Sequence, residues 1–184
     1  MLAEFITLQP GERVLDLGCG NGYLALALAC RFPACREMVG ADCVEDLVRT
    51  AEAAAKRIQS LPGVRMAPIR FVITDITRES VTEEPFDVCV SNPPFFPVDA
   101  GKPPRDSTKQ LARQEISLTM ETLLDAAARN SARTSRLCLV YPFRRWEELK
   151  IAAQKRGFYV KEMRHDPAVR RRSGGIVFVD FSRA

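Results

Sequence analysis

The sequence predicts an open α/β domain: a doubly wound, mostly parallel sheet of seven strands with an antiparallel strand at its C-terminal end. Three observations predict it. Short apolar runs alternate with longer helical segments from residue 13 to residue 157, the pattern of a parallel sheet covered on both faces. A glycine cluster, Gly18-Cys19-Gly20-Asn21-Gly22, separates the first run from the first of these helical segments. The last two runs have no helix between them, so they pair as a hairpin and leave one strand antiparallel at or near the sheet edge.

Leu2 to Leu8 reads as the tail of a helix, and Pro10-Gly11 as a turn. Arg13 to Leu17 is a buried strand stopped by glycine. Tyr23 to Phe32, rich in alanine and leucine, is a helix, and Glu37 to Ala41 a second strand. Val44 to Ile58 is a strong helix with Asp42 or Cys43 near its cap. Ile69 to Ile73 and Phe86 to Ser91 are the third and fourth strands, the latter stopped by Pro93-Pro94. Residues 97–110 form a long polar loop, a kind of segment that is often functional. Leu111 to Ala132 reads as a helix, Leu137 to Tyr141 as a fifth strand, and Arg144 to Arg156 as a helix ending at Gly157. Phe158 to Met163 and Ile176 to Phe181 are the final strands, joined by an Arg-rich loop.

At 184 residues the chain suits one domain, since domains run to roughly 100–200 residues. Its 46% hydrophobic and 27% charged residues exclude a disordered or collagen-like chain. No apolar run approaches the ~20 residues of a membrane span, and no basic-then-apolar signal opens the chain. A cytosolic protein is expected. The six cysteines at 19, 30, 35, 43, 89 and 138 contain no CxxC pair, so neither a zinc set nor any other metal is expected. They read as reduced structural thiols. His165 is the one histidine, and nothing near it supports a nucleophile–histidine pair.

Charge is divided along the chain. Residues 1–92 hold 9 Lys+Arg and 13 Asp+Glu, net −4; residues 93–184 hold 18 and 10, net +8. A basic half suits either a polyanionic partner or ordinary solvated helix faces.

The glycine loop follows the first strand, where open α/β sheets bind ligands. Its spacing is GxGxG rather than the GxGxxG of a dinucleotide fingerprint. Asp16, two positions before Gly18, repels a pyrophosphate and suits a ligand carrying an ammonium group. That favours S-adenosylmethionine (SAM) over NAD. Asp42, 26 residues after Asp16, ends the second strand, where a carboxylate accepts both ribose hydroxyls; it also suits a helix N-cap. Asp75 ends the third strand, placed to accept from an adenine amine or to form an Asx turn.

Ser91-Asn92-Pro93-Pro94-Phe95-Phe96 follows the fourth strand. The prolines stiffen the backbone. The Asn92 side-chain carbonyl and the Pro93 carbonyl together accept both hydrogens of an exocyclic amine and aim its nitrogen at a methyl donor. Phe95 or Phe96 stacks on the target ring, as aromatic residues do for extruded bases. The plainer reading is a strand-terminating turn with two core phenylalanines.

The ordered set Asp16-Leu17-Gly18-Cys19-Gly20-Asn21-Gly22, Asp42, Asp75 and Asn92-Pro93-Pro94-Phe95 resembles the Rossmann-like class I SAM-dependent methyltransferases of the NPPF/Y branch. The resemblance covers nearly the whole chain. With Lys102-Pro103-Pro104-Arg105-Asp106 and Leu111-Ala112-Arg113-Gln114-Glu115, it is most similar to the bacterial tRNA(Val) adenine-N6 methyltransferase family. Many relatives read ARHE where this chain has Gln114. The resemblance implies SAM as methyl donor, S-adenosylhomocysteine as product, and structured RNA as partner. It implies cofactor contacts at Asp16, Gly18, Cys19, Gly20, Asn21, Gly22, Asp42, Cys43, Asp75, Ile76 and Asn92. Asn92, Pro93, Pro94 and Phe95 would carry catalysis. Phe95, Phe96, Lys102, Arg105, Lys109, Arg170, Arg171 and Arg172 would meet the substrate, the basic residues on phosphates. Family members usually carry some tens of residues before the first strand, whereas only 15 precede Asp16 here; residues 1–184 therefore read as one methyltransferase domain lacking a short N-terminal segment. Alternatives are a guanine-N2 rRNA or protein-glutamine methyltransferase, a non-catalytic SAM-binding scaffold, and, more distantly, an NAD-dependent oxidoreductase. The sequence leaves the oligomeric state open.

Overall fold

Arg13–Leu17 forms strand β1, and all five residues are buried. A strand buried on both faces belongs in the middle of a covered sheet. Its neighbours are β2 (Glu37–Asp42) and β4 (Phe86–Ser91), both parallel to it. With β3 (Ile69–Ile73), β5 (Ser131–Pro142), β6 (Phe158–Asp166) and β7 (Ile176–Arg183) they make one seven-stranded sheet, in the order β3-β2-β1-β4-β5-β7-β6. The structure is a computed structural model that describes residues 1–93, 118–169 and 174–184. The final hairpin is as the sequence predicts. The antiparallel strand is β7, inserted between β5 and β6, so β6 and not the last strand forms the edge.

Helices α1 (Leu2–Phe5), α2 (Tyr23–Arg31) and α3 (Glu45–Gln59) cover one face around Leu28, Met38 and Val48. Helices α4 (Met120–Asn130) and α5 (Trp146–Gln154) cover the other around Leu123, Leu137 and Phe158. Helix α3 buries Val48, Ala51 and Ala55 on one stripe, with Glu45 and Asp46 in its first turn and Lys56 and Arg57 in its last, the order that suits the helix dipole.

Of the helix expected from Leu111 to Ala132, residues 111–117 lie outside the described residues, and the described part is helical over Met120–Asn130. Leu118 and Thr119 are not helical; Thr119 Oγ1 accepts a hydrogen bond from Thr122 N at 3.2 Å and caps α4. An N-cap needs an extended backbone, and Thr119 has φ −74° and ψ 169°. At the other end Ser131 turns extended and opens β5, a strand longer than the Leu137–Tyr141 apolar run. The helix expected from Arg144 begins instead as a 3₁₀ turn, Phe143–Arg145, before α5.

Candidate active site

The carboxyl ends of β1, β2, β3 and β4 lie side by side, and each carries a segment singled out by the sequence. The loop after β1 turns on three left-handed glycines, Gly18 (φ 69°), Gly20 (φ 55°) and Gly22 (φ 78°). At Gly22 the reason is packing: a Cβ would lie 2.7 Å from the Ala51 Cβ and 2.8 Å from the Phe71 ring. At Gly20 a Cβ would meet nothing within 4 Å, so this glycine leaves its backbone open to a neighbour. Gly18 N and Cys19 N both donate to Ala41 O, at 2.9 and 3.1 Å, which ties the loop to the end of β2. Asn21 Oδ1 accepts from Tyr23 N at the start of α2.

Asp42 fixes the same loop from beside it. Its Oδ2 accepts from Gly20 N at 2.8 Å and its Oδ1 from Val44 N at 2.9 Å. Val44 is the helix N-cap position, so Asp42 holds the approach to α3 rather than capping it. These bonds fix its carboxylate between the glycine loop and the start of α3.

Asp16 is 1% exposed, and its Oδ2 accepts from Ala25 N in α2 at 3.2 Å. Burial pushes its carboxyl up to about 7, and the charge of Asp42 adds to the rise. It lies beneath the loop, outside the lining of the neighbouring cavity. Asp75 is placed differently. Its Oδ1 accepts from the Thr77 hydroxyl (2.6 Å) and Thr77 N (3.0 Å), and its Oδ2 lies 3.2 Å from Arg78 Nε. The Thr77 hydrogen bonds, with Arg78 alongside, hold its carboxyl below the ordinary range.

Gly18, Asp42, Cys43, Thr74, Asp75, Ile76, Thr77 and Leu118 line one small cavity at these strand ends. It contains the predicted Gly18, Asp42, Cys43, Asp75 and Ile76 together. Burial raises the Cys19 and Cys43 thiols, and nearby acids reinforce the rise, so both are neutral rather than nucleophilic, Cys43 in the cavity wall and Cys19 outside its lining. Thr74, Thr77 and Leu118 were not anticipated. The threonines flank Asp75 in Ile73-Thr74-Asp75-Ile76-Thr77, a turn-forming text that would have found them. Leu118 carried no signal, because it reads as mid-helix.

Asn92 follows β4 and is exposed, while Pro93 is buried. Ser91 Oγ donates to Leu17 O at 2.8 Å. The register Asp16↔Val90, carried two residues on, sets Asn92 level with Gly18. Asn92 therefore borders the glycine loop. Pro94, Phe95, Phe96, Lys102, Arg105, Lys109, Gln114, Arg170, Arg171 and Arg172 lie outside the described residues. Among the described residues no group of three acid, His or Cys side chains is placed to hold a metal, and no helix is long and apolar enough to cross a membrane.

The residues gathered here fit an adenosyl ligand: an open glycine turn, the strand-end acids Asp42 and Asp75, and the apolar Ile76 and Leu118 beside them. A parallel sheet with one reversed strand, glycine loop, strand-end acids and Asn-Pro-Pro motif defines a class of nitrogen methyltransferases. Residues 1–132 match the model of the methyltransferase small domain family, and the chain belongs to that family. It is 31% identical over 186 residues to the tRNA1(Val) (adenine(37)-N6)-methyltransferase of Tolumonas auensis, covering 100% of this chain and 73% of that protein. It is 34% identical over 149 residues to the protein of the same name from Porphyromonas gingivalis, covering 77% of this chain and 54% of that one. Tolumonas apart, the chain spans 54–62% of the length of the curated relatives it matches. The crystal structure of TrmN from Thermus thermophilus is alike in fold, with a TM-score of 0.69 at 22% identity, over 99% of this chain and 46% of that one.

Proposed function

We propose that this chain is the SAM-dependent domain of an enzyme that methylates the exocyclic N6 amine of an adenine in tRNA. The observation that carries the reading is the convergence of the glycine loop, Asp42, Asp75 and Asn92 at neighbouring strand ends. The names of the Tolumonas and Porphyromonas relatives supply the substrate.

SAM, when bound, supplies an electrophilic methyl group. Gly18 and Gly20 let the backbone approach it, Asp42 binds its ribose diol, and Asp75 accepts from its adenine amine. Asp16 adds negative potential beneath the loop, which favours the ammonium end. Asn92 and the Pro93 carbonyl accept the two hydrogens of the target amine and turn the nitrogen lone pair toward the methyl group. Positioning replaces a strong base here, and the displaced proton leaves to solvent. Pro94 stiffens the turn, and Phe95 and Phe96 stack on the target ring. Lys102, Arg105, Lys109, Arg170, Arg171 and Arg172 neutralise RNA phosphates. We read residues 1–184 as a single domain that acts in the cytoplasm.

Nucleoside analysis tests the reading. Unmodified tRNA incubated with this protein and labelled SAM should yield N6-methyladenosine on digestion. Label recovered as N2-methylguanosine, or in a protein glutamine, would transfer the same chemistry to the alternative substrates. No incorporation into any of them would reject the reading.

A further inference from the structure

The rim that begins at Asn92 continues along the sheet. Ser91 stands opposite Leu139, so Asn92 is level with Val140 and Phe143 lies three residues further on. That is an offset of roughly 10 Å along the strand at ~3.3 Å per residue. Phe143 N donates to Gly175 O at 3.1 Å, which fastens the 3₁₀ turn to the β6–β7 hairpin. The Phe143 ring stacks on His165, with centroids 3.8 Å apart and planes 18° from parallel. His165 is exposed, and its Nε2 lies 2.9 Å from Gly174 O. A carbonyl only accepts, so Nε2 carries the proton and the ring is held in place. The result is a fixed aromatic step at the surface instead of a core pair.

The two arginines beside it differ. Arg145 is gripped by Glu148 through Nε (2.8 Å) and Nη2 (2.7 Å) and reaches Tyr141 Oη at 2.9 Å. Arg144 is exposed and has no acidic partner among the described residues. One cation is committed to the fold, and the other faces solvent next to the stacked pair.

We infer that Phe143, Arg144 and His165 form a docking step for the substrate RNA, where one base stacks on the His165 ring and Arg144 binds the adjoining phosphate. The inference rests on the RNA reading above and adds the place where the strand leaves the target base. Aromatic faces accept any base, and a ring already held loses little freedom on binding. His165 on β6 lies three strand spacings from β4, ~14 Å at ~4.8 Å each, the reach of about four stacked nucleotides at ~3.4 Å each.

The test is tRNA binding and methylation by the full chain and three variants, with far-UV circular dichroism and melting midpoint as fold controls. His165→Ala should raise the Kd and KM for tRNA about tenfold with little change in the slope of affinity against salt. His165→Trp should restore most of that loss, because stacking survives and the imidazole is not needed. Arg144→Ala should raise the Kd several-fold and reduce the salt slope by about one. If the parent methylates tRNA while all three variants keep its Kd, the docking step is overturned and the RNA reading stands. A His165→Trp variant as weak as His165→Ala overturns the stacking role. A parent that binds no tRNA overturns both.

Discussion

Arg13 and Asp16 are three residues apart in one buried strand, and their charges are treated in opposite ways. At the amino ends of the strands the Arg13 guanidinium, 5% exposed, donates to Glu37 Oε2 (2.7 and 3.1 Å) and to the Glu84 and Pro85 carbonyls (2.6 and 3.0 Å). It also lies 4.6 Å over the Phe86 ring, and its own backbone N–H donates to Asp87. At the carboxyl ends Asp16 has one backbone donor, no basic partner among the described residues, and a repelling neighbour in Asp42. The first pole satisfies itself and holds the sheet together. The second holds a buried carboxyl whose ionisation the fold disfavours, beside a cavity and an open glycine turn. Strain of that kind is what a binding site costs.

The contrast can be broken at either pole. The largest loss of stability belongs to Arg13→Ala, which removes a buried guanidinium from Glu37 and from the Glu84 and Pro85 carbonyls, leaving Glu37 only Arg70, and should cost about 3 kcal/mol in urea unfolding. A loss below about 1 kcal/mol would show that this pole is no clasp. At the functional pole, Asn92→Ala should slow single-turnover methyl transfer about 10²–10³-fold while leaving the melting midpoint in place. An active variant would remove Asn92 from the chemistry. Asp16→Asn should stabilise the protein, because the Asp16 carboxyl titrates near 7 when folded and near 3.9 when unfolded. Between those values the folded state holds the extra proton, so the parent loses stability as pH rises from about 4 to 7. The variant's advantage should therefore grow by about 4 kcal/mol over that range and level off above it. A constant advantage at pH 4 and pH 8 would refute the titration. Smallest is Gly20→Ala, whose left-handed backbone costs about 1 kcal/mol; it should weaken S-adenosylhomocysteine binding more than it lowers stability, by calorimetry against a thermal melt.

How far the sequence reaches follows the same division. The ends of β1 to β4 were legible because backbone chemistry marks them: glycines where φ is positive, acids where a strand stops, and prolines where β4 must end. Ile69–Ile73 and Phe86–Ser91 fall on the observed strands. Arg13 was invisible as a clasp, since its partners Glu37 and Glu84 are distant in sequence and look like surface acids. The early part of β5 was missed because Ser131 to Arg136 is polar and pairs only through β4 and β7. Leu118 joined the cavity because Thr119 ends the helical reading one residue later. The stacked Phe143–His165 pair joins two segments that no local pattern connects.

The most direct measurement is a calorimetric titration of S-adenosylhomocysteine into the parent and into Asp42→Asn, with NAD as the competitor ligand. The parent should bind S-adenosylhomocysteine with a Kd at or below about 100 μM and give no heat with NAD. Asp42→Asn should bind at least tenfold more weakly, about 1.4 kcal/mol. Equal affinity in the two proteins, NAD binding as tight, or no binding by the parent would contradict the assignment of these strand ends to an adenosyl cofactor.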